Sequence, residues 1–123
     1  MKKSKTSWYV GGGLVVLALA LFIVPGYLPS ELDDFAQCVT DSGATYYGAW
    51  WCPNCQNQNT LFGNAKKYID YIECSGANRQ QLPVCNEAGI KAYPTWEFGN
   101  GDRVEGTQTL AFLSEKTGCE LPK

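Results

Sequence analysis

The chain divides into an uncharged apolar stretch and a body in which the spacing of apolar positions keeps changing. From Thr6 to Ser30 no side chain is charged, and the apolar part, Trp8 to Leu28, is 21 residues long. As a helix it would span about 31 Å, close to the ~30 Å hydrocarbon core of a bilayer. Trp8 and Tyr9 at one end and Tyr27 at the other stand where interfacial anchors stand. Lys2, Lys3 and Lys5 are expected to stay cytoplasmic, which puts residue 31 onward outside. This reading gives a cytoplasmic basic head (1–7), a single transmembrane anchor (8–28), a linker (29–34) and an extracytoplasmic body (35–123). A cleaved signal peptide is the main alternative: the head fits, but the apolar run is long. Pro25 to Pro29 also offers no small-x-small site.

In the body, Leu32, Phe35, Ala36 and Val39 line one face of a short helix ended by Ser42-Gly43. Ala44 to Trp51 has the aromatic content and length of a buried strand. Pro53 then suits the first turn of a helix. Cys55, Asn59, Phe62, Ala65, Lys66 and Ile69 recur every three or four residues, giving about four turns. Gly63 costs that helix roughly 1 kcal/mol relative to Ala. Tyr71 to Cys74 reads as a strand, 75–83 as a loop, and Val84 to Ala88 as a helical turn closed by Gly89. A strand over Thr95 to Phe98 can tolerate Pro94 only at its start. Asn100-Gly101 turns the chain into Arg103-Val104-Glu105. Thr109 to Thr117 forms a last helix ended by Gly118. The order predicts an α/β fold, a central mixed sheet of about four strands flanked by helices. Trp50, Tyr68, Trp96 and Phe98 are expected in the core, and Asp33, Asp34, Lys66 and Lys67 at the solvated surface.

Charge and composition narrow the chemistry. The 123 residues allow one domain. The chain holds 10 Lys+Arg, 12 Asp+Glu, no His and six Cys. Three of the bases lie in the first thirty residues, so the body is acidic, an argument against nucleic acid as a partner. The lack of histidine excludes Cys-His and Ser-His-Asp hydrolases and His-based zinc sites. Six cysteines in an exported body read first as disulfides.

Cys52-Pro53-Asn54-Cys55 stands apart because it opens the long helix. The first sulfur sits at the N-terminal end, where free N–H groups and the helix dipole favour the reactive thiolate. The second lies one turn further in, placed to resolve a mixed disulfide made by the first. Two other readings compete with this one. A structural Cys52–Cys55 bond would close too small a loop to constrain much. A zinc site from Cys52, Cys55, Cys74 and Cys85 has the ligand number, but its second pair is too widely spaced.

The run Tyr47-Gly48-Ala49-Trp50-Trp51-Cys52-Pro53-Asn54-Cys55 carries a family resemblance. So do Gln56, Gln58, Leu61-Phe62-Gly63, Tyr71 to Cys74, and Gly89-Ile90 leading to Tyr93-Pro94-Thr95-Trp96. Together they resemble the thioredoxin superfamily, most nearly the thioredoxin-like domain associated with bacterial homologues of vitamin K epoxide reductase. The resemblance runs from about residue 35 to 119 and implies a minimal thioredoxin-like fold. It implies Cys52 as the attacking cysteine and Cys55 as the resolving one. Pro94 would be a cis-proline facing the dithiol and presenting backbone to an extended substrate. Trp51, Tyr93 and Thr95 would complete the substrate wall, though Trp51 also reads simply as a core aromatic. Where ordinary thioredoxins carry a buried acid, this chain has Tyr46. The implied activity is thiol–disulfide exchange on protein thiols, by a monomer, without a cofactor. The implied partner is a membrane quinone reductase of the vitamin K epoxide reductase type that reoxidises the dithiol. Running as a reductase or isomerase is an alternative, as are a non-catalytic disulfide-stapled binding module and a metal-binding module.

Four cysteines remain, with three possible connectivities. Cys74–Cys85 would staple the loop between them, stabilising by roughly 3 kcal/mol in the chain-entropy picture. Cys38–Cys119 would tie the two ends of the body together. One pair, chiefly Cys74–Cys85, could instead relay electrons to Cys52–Cys55.

Overall fold

The computed structural model describes residues 28–123. The expected basic head and all of the expected anchor except Leu28 lie outside the described residues. Among the described residues no helix is long and apolar enough to cross a membrane.

Four strands form one mixed sheet: β1 (Thr45–Gly48), β2 (Tyr71–Glu73), β3 (Thr95–Glu97) and β4 (Arg103–Glu105). The order is β2-β1-β3-β4, with β1 parallel to β2 and antiparallel to β3, and β3 antiparallel to β4. The helices are α1 (Asp33–Asp41), α2 (Pro53–Phe62), α3 (Pro83–Glu87) and α4 (Leu110–Thr117). Helices flank this mixed four-stranded sheet, the α/β arrangement that the element order predicts.

The period-two rule of a strand assigns the two faces of β1. Tyr46 points into the main core with Phe35, Val39, Phe62, Trp96 and Leu113, whereas Tyr47 joins Cys74, Cys85 and Ile90 on the other face. Aromatic stacking fills the main core: Tyr46 lies on Trp96 at 5.0 Å and Phe35 on Phe62 at 6.2 Å. The buried face of α1 is Phe35, Ala36 and Val39, with Leu32 packed beside it. Thr109 caps α4 by accepting the Phe112 N–H at 3.0 Å. Gly118, at φ +78°, ends that helix.

The helix α1 starts at Asp33, one residue after Leu32, where the sequence predicts it. Three expectations change. β1 stops at Gly48, because the chain turns there: the Cys52 N–H donates back to the Ala49 carbonyl at 3.1 Å. Trp50 therefore rides outside the sheet, 52% exposed, and Tyr68 is exposed as well, so neither belongs to the core. The long helix ends at Phe62: Gly63 takes φ +56°, and Gly63–Tyr68 continue as a 3-10 helix. A positive φ is available to glycine at little cost, so Gly63 breaks the helix where a weak penalty was expected.

Candidate active site

Cys52 is the N-cap of α2. Its backbone is extended, its carbonyl accepts the Gln56 N–H at 3.0 Å, and Pro53 occupies the first turn, where a missing N–H leaves nothing unpaired. The Cys52 sulfur thus sits at the open, positive end of the helix. Cys55 follows one turn later on the inward face. Both are free thiols, 7% and 1% exposed respectively.

Three residues of the sheet form the wall behind Cys55. The Tyr46 hydroxyl donates to the Cys55 carbonyl at 3.2 Å. Tyr71 packs against Tyr46 at 4.9 Å between ring centres and donates its hydroxyl to Glu73 at 2.7 Å. Gly48 leaves the room: a Cβ there would lie 2.9 Å from Tyr71 Cε2 and 3.1 Å from Cys55 Sγ. Burial pushes the Cys55 thiol from 9.0 up to about 11, against the pull of the Ala49 backbone and the Tyr46 hydroxyl toward the thiolate. Burial and the nearby Cys55 also hold the Tyr46 hydroxyl well above its ordinary value, so it acts as a neutral donor. Cys55 holds its proton tightly, and Cys52, at the helix end and the less buried of the two, is the sulfur placed to attack.

A rim of loops surrounds Cys52. The Cys52 thiol lies 3.5 Å from the Tyr93 carbonyl, and the Tyr93–Pro94 bond is cis. Trp51 donates its indole N–H to Ser75 Oγ at 2.7 Å and meets the Tyr93 ring edge-on at 6.0 Å. Arg79 stacks its guanidinium 5.4 Å from the centre of the Trp51 ring. Glu73 fixes the approach to the helix by accepting the Trp50 N–H at 2.9 Å.

Of the expected substrate wall, Trp51 and Tyr93 stand half-buried at the rim, while Pro94 and Thr95 are buried. The Pro94 carbonyl accepts the Gly106 N–H at 2.8 Å, and Thr95 Oγ1 donates to the Ala92 carbonyl at 2.7 Å. Pro94 is the cis-proline of the expected wall, and the backbone atom against Cys52 is the Tyr93 carbonyl just before it, while the Pro94 carbonyl and the Thr95 hydroxyl bond elsewhere in the chain. Sheet pairing and a local turn engage those two groups internally.

The other cysteines are bonded as Cys38–Cys119 and Cys74–Cys85, with Cα separations of 5.9 and 5.4 Å. Cys74 and Cys85 are wholly buried, packed with Tyr47 and Ile90 on the face of the sheet opposite the main core. Bonded to each other, they also do not join a four-thiolate zinc set.

Gln58, quoted above only for its place in a motif, is a fully buried polar side chain. Its oxygen accepts from Trp96 Nε1 at 3.0 Å and from the Gln108 N–H at 2.8 Å, and its nitrogen donates to the Gln108 carbonyl at 3.1 Å. It locks α2 to β3 and to the segment before α4. Its spacing from Cys55 and Phe62, three and four residues, marks it for the inward face. Gly48, Glu73 and Arg79 had no such signal, because their roles come from contacts distant in sequence.

The chain is similar to a thiol–disulfide oxidoreductase. It is 36% identical over 91 residues to the thiol-disulfide oxidoreductase LTO1 of Arabidopsis thaliana, a match covering 70% of this chain and 24% of that protein. The chain thus spans about a quarter of that relative's length. A crystal structure of oxidized glutaredoxin 2 from Chlamydomonas reinhardtii overlaps it with a TM-score of 0.40 and 20% identity, covering 72% of this chain and 94% of that one. No family model matches the chain.

Proposed function

We propose that this chain is a thiol–disulfide oxidoreductase working through Cys52 and Cys55. The observation that carries the reading is the split environment of the two sulfurs. Cys52 caps a helix N-terminus against the Tyr93 carbonyl, and Cys55 is buried one turn behind it.

In the oxidising direction the cycle starts from a Cys52–Cys55 disulfide. A substrate thiolate attacks Cys52 Sγ, the Cys52–Cys55 bond breaks, and Cys55 leaves as a thiolate that takes up a proton. The second substrate thiolate then attacks its partner sulfur in the mixed disulfide, and Cys52 leaves. The substrate gains a disulfide, and two electrons stay on this chain as two thiols. The Tyr46 hydroxyl and the Ala49 backbone lower the barrier to the first step by receiving charge on Cys55. No cofactor is required, because the dithiol carries the electrons.

The setting belongs to the proposal. The 21-residue uncharged run from Trp8 to Leu28, behind a basic head, supports a single-pass anchor with the body extracytoplasmic. The two further disulfides agree with an oxidising compartment. A tethered dithiol that must be reoxidised calls for a membrane electron acceptor, and one of the vitamin K epoxide reductase type is proposed. The test is a Cys55→Ala trap in the full chain. Mixed disulfides through Cys52 should accumulate in cells, and mass spectrometry would name the partners. If no such adducts form, and none form when the reduced protein meets a small disulfide, the proposal is wrong.

A further inference from the structure

The loop joining β2 to α3 holds its one unusual backbone residue beside the dithiol. Arg79 has φ +61°, the only non-glycine residue with positive φ among the described residues. That region disfavours any residue carrying a Cβ, and such conformations persist where the surroundings impose them. The surroundings here are firm. Gly76 and Arg79 close a tight turn, with the Arg79 N–H donating to the Gly76 carbonyl at 3.1 Å and the Gly76 N–H donating to the Gln80 carbonyl at 2.9 Å. A Ser75–Gln81 bridge and the Cys74–Cys85 disulfide close the base of the loop.

Glycine would suit this turn better, yet the position holds the longest cationic side chain. The guanidinium carbon lies over the ring of Trp51, the residue before the attacking cysteine, 5.4 Å from its centre. Among the described residues no carboxylate forms a salt bridge with it; the two such bridges are Arg103–Glu97 and Lys116–Asp102. Glu73, the acid nearest in the fold to this rim by its contacts, has its oxygens engaged by the Trp50 N–H and the Tyr71 hydroxyl. A preorganised, unpaired cation therefore stands at the mouth of an otherwise acidic domain.

We infer that Arg79 makes the site selective for cysteines flanked by acidic side chains, pairing with a substrate carboxylate while the substrate sulfur meets Cys52. The inference rests on the thiol-exchange reading and names its substrate class.

The test uses the reduced full chain and three synthetic peptides. Each carries one cysteine as a 2-pyridyl disulfide, flanked by acidic, uncharged or basic residues. The Cys52 thiolate attacks the peptide sulfur, a Cys52–peptide bond forms, and the pyridyl sulfur leaves as coloured 2-thiopyridone after taking a proton. The rate of colour release is read for each peptide. The acidic peptide should react about fivefold faster than the uncharged one, the scale of one exposed ion pair, and the preference should shrink as salt is added. Arg79→Gly suits the backbone and should keep the fold. It should bring the ratio of acidic to uncharged rates down to about one, and Arg79→Lys should retain part of the preference, since a charge alone suffices for the pairing. A purely structural role for the Trp51 stack would instead slow all three peptides alike, overturning the inference. So would equal rates for the three peptides with the native chain. Failure of every peptide to react would overturn the exchange reading itself.

Discussion

The wall behind Cys55 is made of sheet, and the rim around Cys52 is made of loops. Behind Cys55 stand Tyr46, Gly48 and Tyr71, on two paired strands whose register sets Tyr46 opposite Tyr71. Around Cys52 stand Trp51, Ser75, Arg79 and Tyr93, from loops tied by side-chain contacts and one disulfide. The two sulfurs are three residues apart in sequence, yet they meet different media. The sheet wall buries Cys55 and holds its proton on. The loop rim surrounds the less buried Cys52 at the helix end, and what approaches it must pass that rim. Division of labour in this dithiol is thus a matter of burial as much as of helix position.

The largest effect should come from filling the wall. Gly48→Ala would bring a Cβ to 2.9 Å from Tyr71 and 3.1 Å from Cys55 Sγ. Overpacking of this kind costs about 2–3 kcal/mol, and it should displace Cys55 and slow its attack on a mixed disulfide. Denaturant unfolding of the reduced variant, with the rate of mixed-disulfide resolution, checks both. An unchanged resolution rate would mean that the wall does not position the sulfur.

A smaller effect separates wall from rim by pH. The folded chain binds the Cys55 proton more tightly than the unfolded chain, since its value rises from 9.0 to about 11. Stability from this group is full below about pH 9 and is lost as pH rises through about 11. The raised Tyr46 hydroxyl acts in the same direction. The reduced protein should lose up to about 2 kcal/mol across that window relative to the Cys52–Cys55 oxidised form, where Cys55 cannot titrate. Thermal melts of both forms against pH read the difference, and parallel curves would contradict the assignment of a tightly held proton to Cys55.

The rim should give the smallest change in stability. Ser75→Ala removes the partner of the Trp51 indole at a cost of about 1 kcal/mol. The visible consequence should be altered Trp51 fluorescence and slower reaction at Cys52, with no shift in the pH window of Cys55. A shift in that window would show that rim and wall are coupled.

Much of this site was legible along the chain. Cys52 and Cys55 announce themselves by spacing and by Pro53 between them, and the face of α1 follows from the period of Leu32, Phe35, Ala36 and Val39. Trp50 and Tyr68 read as core because they are large and aromatic, but Trp50 lies just past the end of β1 at Gly48 and Tyr68 closes the 3-10 helix before β2, and both are exposed. The cis bond before Pro94 was expected from the family resemblance, whereas the internal partners of the Pro94 carbonyl and the Thr95 hydroxyl, Gly106 and Ala92, follow only from the folded chain.

Local patterns alone determined the elements, the helix-capping cysteine and the likeness to thiol–disulfide oxidoreductases, because caps, turns and periodicity act over a few residues. Only the tertiary structure decided which cysteines bond, that Gln58 joins α2 to Trp96 and Gln108, and that Glu73 and Arg79 reach the site. Those contacts join positions 11 to 81 residues apart, and the energy that selects them is the burial and pairing available when the sheet closes on its helices.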